Sequence, residues 1–578
     1  MKQTIQQYYW LKQKIVRLGS CPNSLLVILM VGSIFSVCLG AYPLINPDEG
    51  RYAEISWEIL ISNDYLTPHL NGIVFLDKPI LFYWLDALFI KLFGINEWAV
   101  RLGPALFGTL GCLFIYTAGR NLYKPRVGLI AALILATSPL YFAFAHYVNM
   151  DLAVAVLISG CLWSFLIALN KASGWQRDIF LILFYLFAGL AVLTKGLIGI
   201  VLPAMVIGLW IILLNRWSIL KKIRLGLGIS IFMAITLPWY LLVQHANSNF
   251  FNYFFVEQQF SRYLTNHFNA KQPFWFYLPI ILVGILPWGI FLIQSSKKII
   301  TDLWQKRHLK SIEFFLLIWI CSIILFFSIP SSKLIGYILP IYPALILLIS
   351  LYINNNWDKK LSRSTYYALV ALFIATILAA LVVVVINWTV LKFPMSLRII
   401  VIAASPTIVI LLVGISISLL IANRYQLKQV FISLLITMIL SLWSGIGSMA
   451  NLSLPSVKLL AMTLKPSLTA SDQVLAYHMY YNDLPFYLQR RVGIVNDWQN
   501  INKHSADNWQ RELWYGWKNQ HSLPLLINEQ DFLHAWNSKQ RLFLFAPYDR
   551  YTIIQAETHN TAYLLAVDHK VILLSNQK

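Results

Sequence analysis

The chain has 578 residues, 58% of them hydrophobic and 12% charged, with a formal net charge of +21. Soluble globular chains carry about 25% charged residues, and apolar runs of about 20 residues, each able to cross a ~30 Å hydrocarbon core, recur here along most of the length. Disordered, fibrous and disulfide-rich secreted classes are excluded, and the sequence reads as a polytopic membrane protein.

In chain order, the first apolar run covers residues 23–43. It is long, lacks a small-x-small cleavage site and is followed by many more runs, so it reads as an uncleaved helix rather than a signal peptide. Residues 80–94 (ILFYWLDALFIKLFG) are short and contain Asp86 and Lys91, which predicts an interfacial or partly embedded helix. Further spans are predicted at 98–118, 127–146, 151–169, 178–194, 197–214, 226–243, 274–294, 312–329, 336–353, 366–387, 399–421 and 430–449. With the first run they make thirteen. Beyond residue 450 the pattern changes. Short apolar runs, VLAYHMYY (474–481), LPLLIN (523–528), RLFLFAP (541–547) and KVILLS (570–575), alternate with polar stretches and predict a small α/β domain. The expected organisation is a membrane domain over 1–449 and an α/β domain over 450–578. The membrane domain includes juxtamembrane helices at about 44–97 and an outer loop at about 244–273.

Sidedness follows from the basic residues. With a cytoplasmic N-terminus, the loops placed inside hold 23 of the 45 Lys and Arg, against 10 in the rest of the chain before residue 450. That is the distribution the positive-inside rule requires. An odd number of spans then puts 450–578 outside. The same rule accounts for the net charge: no basic stretch looks like a nucleic-acid-binding module, and no nucleic-acid partner is expected. The five cysteines lie in or beside apolar segments, so no disulfide framework is expected in the C-terminal region.

Charges at membrane depth are expensive and need an explanation. In this topology a subset gathers on the outer face: Asp48 and Arg51 in NPDEGRYAE, Asp77 and Lys78 in FLDKP, Asp151 in YVNMDLA, Lys195 in LTKG, Arg262 in the long outer loop, and Lys333 and Tyr337 in SSKLIGYILP. Lys and Arg suit a phosphate, and carboxylates on the same face can orient a nucleophile or stabilise an electron-poor sugar carbon. Each residue also has an ordinary reading. Asp48 and Arg51 make a local helix pair, Asp151 is a common N-cap type, and Lys333 could snorkel from a span end. The eleven His are unclustered and no HExxH spacing occurs.

NPDEGRYAEIS, with Lys78 thirty residues after Asp48 in DKPILFYW, resembles the bacterial aminoarabinose transferases that modify lipid A. These belong to the polyprenyl-phosphate-sugar-dependent membrane glycosyltransferases, which include the protein O-mannosyltransferases. The resemblance continues through NMDLA, LTKG, VEQQFSRY and SKLIGYILPIYP, over the whole membrane region. It implies the GT-C type of fold, with about thirteen spans and a small outer α/β domain, working at the periplasmic face of the inner membrane. The implied donor is a sugar on undecaprenyl phosphate and the implied acceptor a lipid A phosphate, with membrane lipids around them. Lys78, Arg262, Tyr337 and Lys333 would hold the donor phosphate, Asp48 and Asp151 would be catalytic, and Arg51 and Lys195 would face the acceptor. No cofactor is required, although Asp77, where the family pattern has Glu, leaves a divalent cation open. Gly50 and Gly336 replace Thr of the family pattern and are expected to line the sugar pocket. Aminoarabinose is the leading sugar, with galactosamine or another hexosamine as alternatives. The competing functions are a protein O-glycosyltransferase, a lipid-linked sugar transporter, which would show inverted repeats, and a lipid-binding scaffold.

Overall fold

In a computed structural model, residues 24–261, 271–292, 305–388, 395–424, 426–498, 508–518 and 525–578 are described. Among them nine helices are long and apolar enough to cross a membrane, from Glu97–Leu122 to Leu427–Asn451. A further crossing is bent by 68° between Pro125–Ala136 and Pro139–Ala145. The bend falls where Ser138, extended at φ −77 and ψ 121, precedes Pro139, since a residue before proline is pushed out of the helical region. Thr137 and Ser138 turn their hydroxyls back onto Leu133 O and Ile134 O, at 2.7 and 2.8 Å.

Three predicted spans differ from full crossings. Ser24–Ser36 and Ile198–Leu214 are shorter helices, of 13 and 17 residues. The run predicted at 274–294 forms Tyr277–Gly284 and then a single turn at Trp288–Phe291. Pro287 stands at the break and has no N–H with which to continue the helix. The described residues therefore do not establish thirteen crossings.

Met150–Asn170 is the central helix and is buried along almost its whole length, whereas Arg363–Ile386 and Ile399–Arg424 leave most of their surface uncovered. A helix that is apolar all round and uncovered by protein is suited to lipid. The run at 80–94 is the helix Leu81–Phe93, with Asp86 fully buried against Gly103.

Two short strands, β1 (His69–Leu70) and β2 (Ile73–Val74), form a hairpin near the membrane region. Beyond residue 450 come β3 (Gln473–Tyr477), β4 (Gly493–Val495), β5 (Leu526–Ile527), β6 (Leu542–Pro547), β7 (Tyr563–Asp568) and β8 (Val571–Ser575). These six make one mixed sheet in the order β5-β4-β3-β6-β8-β7. β5, β4, β3 and β6 are parallel, and β8 runs antiparallel to both β6 and β7. In an open parallel sheet, ligands gather at the carboxyl ends of the strands. Here the segment following β3 lies over the membrane helices and lines a cavity at their end.

Polar contacts fasten the sheet to segment 44–97. Tyr487 accepts the Leu44 N–H at 2.8 Å and donates to Glu97 at 3.0 Å. Arg491 grips both oxygens of Glu58 at 2.9 Å. Asn71 exchanges two hydrogen bonds with the Val492 backbone. Asn71 and Gly72 both have positive φ, 53° and 75°, the conformation of a tight Asn-Gly hairpin turn, and this is how β1–β2 presents Asn71 to the sheet.

Candidate active site

The site is built around the first turn of the helix Asp48–Ser62. Its two acidic residues, Asp48 and Glu49, suit the positive end of the helix dipole, but they serve different purposes. Glu49 is fully buried. It binds Arg101 through both oxygens, at 2.9 and 2.7 Å, and also accepts the Val148 and Ile45 N–H groups. Arg101 spends its remaining donors on the carbonyls of Leu39, Tyr42 and Pro43. This pair sets the position of the loop before the helix, and Asp48 is carried with it.

Asp48 instead faces the cavity with about a third of its side chain exposed. It accepts from Arg51 at 2.8 Å and from the Tyr147 hydroxyl at 3.2 Å. Arg51 also reaches both oxygens of Glu512, on the helix Trp509–Lys518, at 3.0 Å. Tyr52, on the same wall, keeps its proton because burial pushes the phenol well above its usual range.

A second group comes from three other elements. Asn149 caps the central helix by accepting the Asp151 N–H at 2.6 Å. Asp151 is therefore not the cap, and its carboxylate pairs with Lys195. Lys195 is the last residue of its helix. Gly196, at φ 93°, ends that helix in a conformation costly for other residues. The Lys195 ammonium stands 4.6 Å from the centre of the Tyr337 ring.

One cavity of about 550 Å³ brings together Asp48, Arg51, Asp77, Lys78, Asp151, Lys195 and Tyr337. A narrower cavity of about 90 Å³ shares Lys78, Lys195 and Tyr337 with it, and is otherwise walled by Ile198, Phe326, Phe327 and Pro330 with Gln258, Gln259 and Ser332. A chamber lined by carboxylates and Arg51 thus opens beside a narrow slot walled in part by apolar side chains, with two lysines at their common boundary.

Lys333 is buried but lines neither cavity. Its ammonium donates to the carbonyl oxygens of Gln272, at 3.0 Å, and Pro330, and so ties a loop together. Arg262 lies outside the described residues. Asp77 accepts the Tyr253 hydroxyl, and Gln258 donates to that hydroxyl at 3.0 Å. No group of three His, Cys, Asp or Glu able to hold a metal occurs among the described residues. Gly50 and Gly336 do not line the cavity either. A Cβ on Gly50 would meet the Asp483 nitrogen at 2.6 Å, and one on Gly336 would meet Asp151 Cβ at 2.7 Å.

Sequence reasoning missed Glu512, Tyr147 and Asn46. Asn46 and Tyr147 carry a signal, since they stand in the NPDEGRYAE and YVNMDLA motifs, two residues before Asp48 and four before Asp151, whereas Glu512 carries none.

The chain is similar to known proteins in sequence and in fold. The dolichyl-phosphate-mannose-protein mannosyltransferase family model matches residues 77–241. The undecaprenyl phosphate-α-4-amino-4-deoxy-L-arabinose arabinosyl transferase of Enterobacter sp. (strain 638) is 31% identical over 334 residues, 57% of this chain and 59% of that one. Its namesake in Erwinia tasmaniensis is 30% identical over 379 residues, 64% of this chain and 67% of that one. The chain thus spans about three fifths of the first relative's length and two thirds of the second's. The crystal structure of ArnT from Cupriavidus metallidurans bound to undecaprenyl phosphate superimposes with a TM-score of 0.83 at 27% identity, covering 96% of this chain and 97% of that one. The apo form of the same protein gives 0.81 at 26% identity.

Helices crossing a membrane, a polar cavity at their end and a small sheet over it define the fold of a multi-pass membrane glycosyltransferase. Within that class, the chain belongs to the family of undecaprenyl phosphate-aminoarabinose arabinosyl transferases.

Proposed function

We propose that the protein transfers 4-amino-4-deoxy-L-arabinose from undecaprenyl phosphate to a phosphate of lipid A. The reaction takes place on the periplasmic face of the bacterial inner membrane. The N-terminus is then cytoplasmic, residues 1–449 form the membrane catalytic domain, and residues 450–578 form a periplasmic domain. The distribution of Lys and Arg supports this orientation.

The observation that carries the reading is the junction of the two cavities. The apolar slot suits the first units of a polyprenyl chain, and Lys78 and Lys195 beside it suit the phosphate that links chain to sugar. The sugar then occupies the larger chamber, between Asp48 and Asp151. Arg262 joins the donor-phosphate group by its motif. Lys195 is assigned to the donor side because it lines both cavities.

An acceptor phosphate oxygen attacks the anomeric carbon from the face opposite the carrier. The carbon–oxygen bond to the carrier phosphate breaks, undecaprenyl phosphate leaves with the electron pair, and the configuration inverts. A phosphate monoester is largely ionised at neutral pH, so no general base is needed. Asp48 and Asp151 act by stabilising positive charge on the sugar and by orienting the acceptor.

The test is mass spectrometry of lipid A from cells with and without the gene, repeated with Asp48→Ala. A pentosamine increment that needs both the gene and Asp48 is expected. A hexosamine increment would change the sugar, and unchanged lipid A from cells containing well-expressed protein would overturn the acceptor.

A further inference from the structure

Asp483 lies in the segment that follows β3, far along the chain from Asp48, and is fully buried. Its carboxylate gathers three pieces of chain. One oxygen accepts the Asn46 side-chain amide, and the other accepts the Ser456 hydroxyl at 2.6 Å and the Val457 N–H at 2.9 Å. The Asp483 backbone N–H donates back to the Asn46 side-chain oxygen at 3.1 Å. The Asn46 backbone N–H is held in turn by Pro455 O at 2.8 Å.

Asn46 is thus held by the C-terminal region at both backbone and side chain. It is followed by Pro47, whose ring fixes φ, and then by Asp48. With so little rotational freedom between residues 46 and 48, the grip on Asn46 is transmitted to the Asp48 carboxylate. Gly50 belongs to the same contact, its missing side chain leaving room for the Asn482–Asp483 backbone.

We infer that Asp483 is a positioning residue for the transfer reaction, holding Asn46 and through it the cavity-facing carboxylate of Asp48 in register with the donor sugar. This rests on the reading of Asp48 given above. The C-terminal sheet is on this account part of the catalytic apparatus, supplying the alignment of a carboxylate that Asp483 never touches.

Burial pushes the Asp483 carboxyl up to about 6, against the hydrogen bonds from Ser456, Asn46 and Val457, which pull it down. Tyr480, Tyr481 and Tyr487 face it from its own segment, and burial keeps all three phenols protonated. Glu54 and Glu58 approach through Tyr480, and Glu97, paired with Lys458, approaches through Tyr487. The ionised carboxylate has acceptor positions for all three donors. A proton added as pH falls through about 6 consumes one of those positions, so the alignment weakens on the acid side.

The experiment uses the purified full-length enzyme, with undecaprenyl-phosphate aminoarabinose as donor and lipid A as acceptor. Asp483→Asn is expected to lower kcat at least ~10-fold while donor KM stays within ~2-fold. An amide has one acceptor oxygen, which cannot serve Asn46 on one side and both Ser456 and Val457 on the other. The double exchange, Asn46→Asp with Asp483→Asn, rebuilds the pattern with the polarity reversed. The new amide at position 483 would donate to the new carboxylate at position 46 and still accept from Ser456 and Val457. This double variant is expected to recover kcat to within ~3-fold of wild type.

Wild-type kcat in Asp483→Asn would overturn the inference, as would a folded exchange variant that recovers nothing. If Asp483→Asn fails to fold, the exchange variant alone decides. Asp48→Ala, run beside them, separates the two claims. If it is inactive while Asp483→Asn is fully active, the positioning role is rejected and the Asp48 reading stands; if it is active, both fall.

Discussion

Arg51 holds Asp48 with one guanidinium nitrogen, at 2.8 Å, and Glu512 with the other, at 3.0 Å. One residue from the membrane-proximal helix is therefore shared between the reacting chamber and the C-terminal region. On the proposed reaction, a phosphate acceptor arriving at Arg51 would compete with Glu512, whose two oxygens already occupy one of the guanidinium nitrogens.

Glu512→Gln weakens that competitor without removing the side chain. Acceptor KM is expected to fall about threefold, because a neutral amide holds Arg51 less firmly than a carboxylate. Donor KM should not change. Steady-state kinetics with each substrate varied in turn would check this, and an unchanged acceptor KM would take Arg51 out of the acceptor path.

Asp151 and Lys195 pair directly across two helices, with the Tyr337 ring beside the ammonium. Removing either partner leaves a charge in a partly buried site, so Asp151→Asn and Lys195→Met are each expected to reduce kcat/KM by roughly 100-fold. The double variant should be little worse than either single one, since residues in direct contact act as one unit. Strict multiplication of the two losses would mean that the residues act independently and that their pairing has no bearing on catalysis.

The Glu49–Arg101 pair makes a stability prediction. Both side chains are fully buried and hydrogen-bonded on nearly every polar atom. Glu49→Ala would leave the guanidinium with carbonyl partners alone, at a cost of about 3 to 5 kcal/mol. Thermal unfolding in detergent should show a large fall in Tm for Glu49→Ala. Asp48→Ala, one residue earlier but partly exposed to the cavity, should leave Tm nearly unchanged.

The contrast between these neighbours also marks what the sequence could reveal. Asp48, Lys78, Asp151 and Lys195 stand out because charge beside an apolar span demands a reason, and all four meet at one cavity, with Tyr337 beside them. Lys333 meets the same criterion and does not reach that cavity, because backbone carbonyls of its own loop and of Gln272 take up its ammonium; local composition carries no trace of such a contact. Glu512 is invisible for the opposite reason. It sits in WQRELWYGWK, a stretch of ordinary amphipathic composition, and only the docking of the sheet brings it to Arg51. The mixed sheet itself is half legible. β3, β5, β6 and β8 lie largely within the predicted apolar runs, whereas β4, with three residues, does not stand out by pattern, and β7 (YLLAVD) is an apolar run the prediction misses.

Gly50 and Gly336 show how a substitution outside the cavity can still act on it. Neither lines the chamber, yet each lies against a residue that shapes it: Gly50 against the backbone of Asn482 and Asp483, Gly336 against the Asp151 side chain. A methyl group at 336 would sit 2.7 Å from Asp151 Cβ and Cγ, inside the distance that carbon atoms tolerate, and the carboxylate would have to turn away from Lys195. A methyl at 50 would press on the Asp483 peptide, moving the sheet relative to the helix rather than a single side chain. Gly336→Ala is therefore expected to lower kcat about 10-fold with normal expression and little change in Tm. Gly50→Ala should lower Tm and activity together, by about 1 to 3 kcal/mol of stability. Measuring Tm and kcat on both variants separates the two. A Gly336→Ala enzyme with wild-type kcat would show that the Asp151–Lys195 pairing has slack the packing does not suggest.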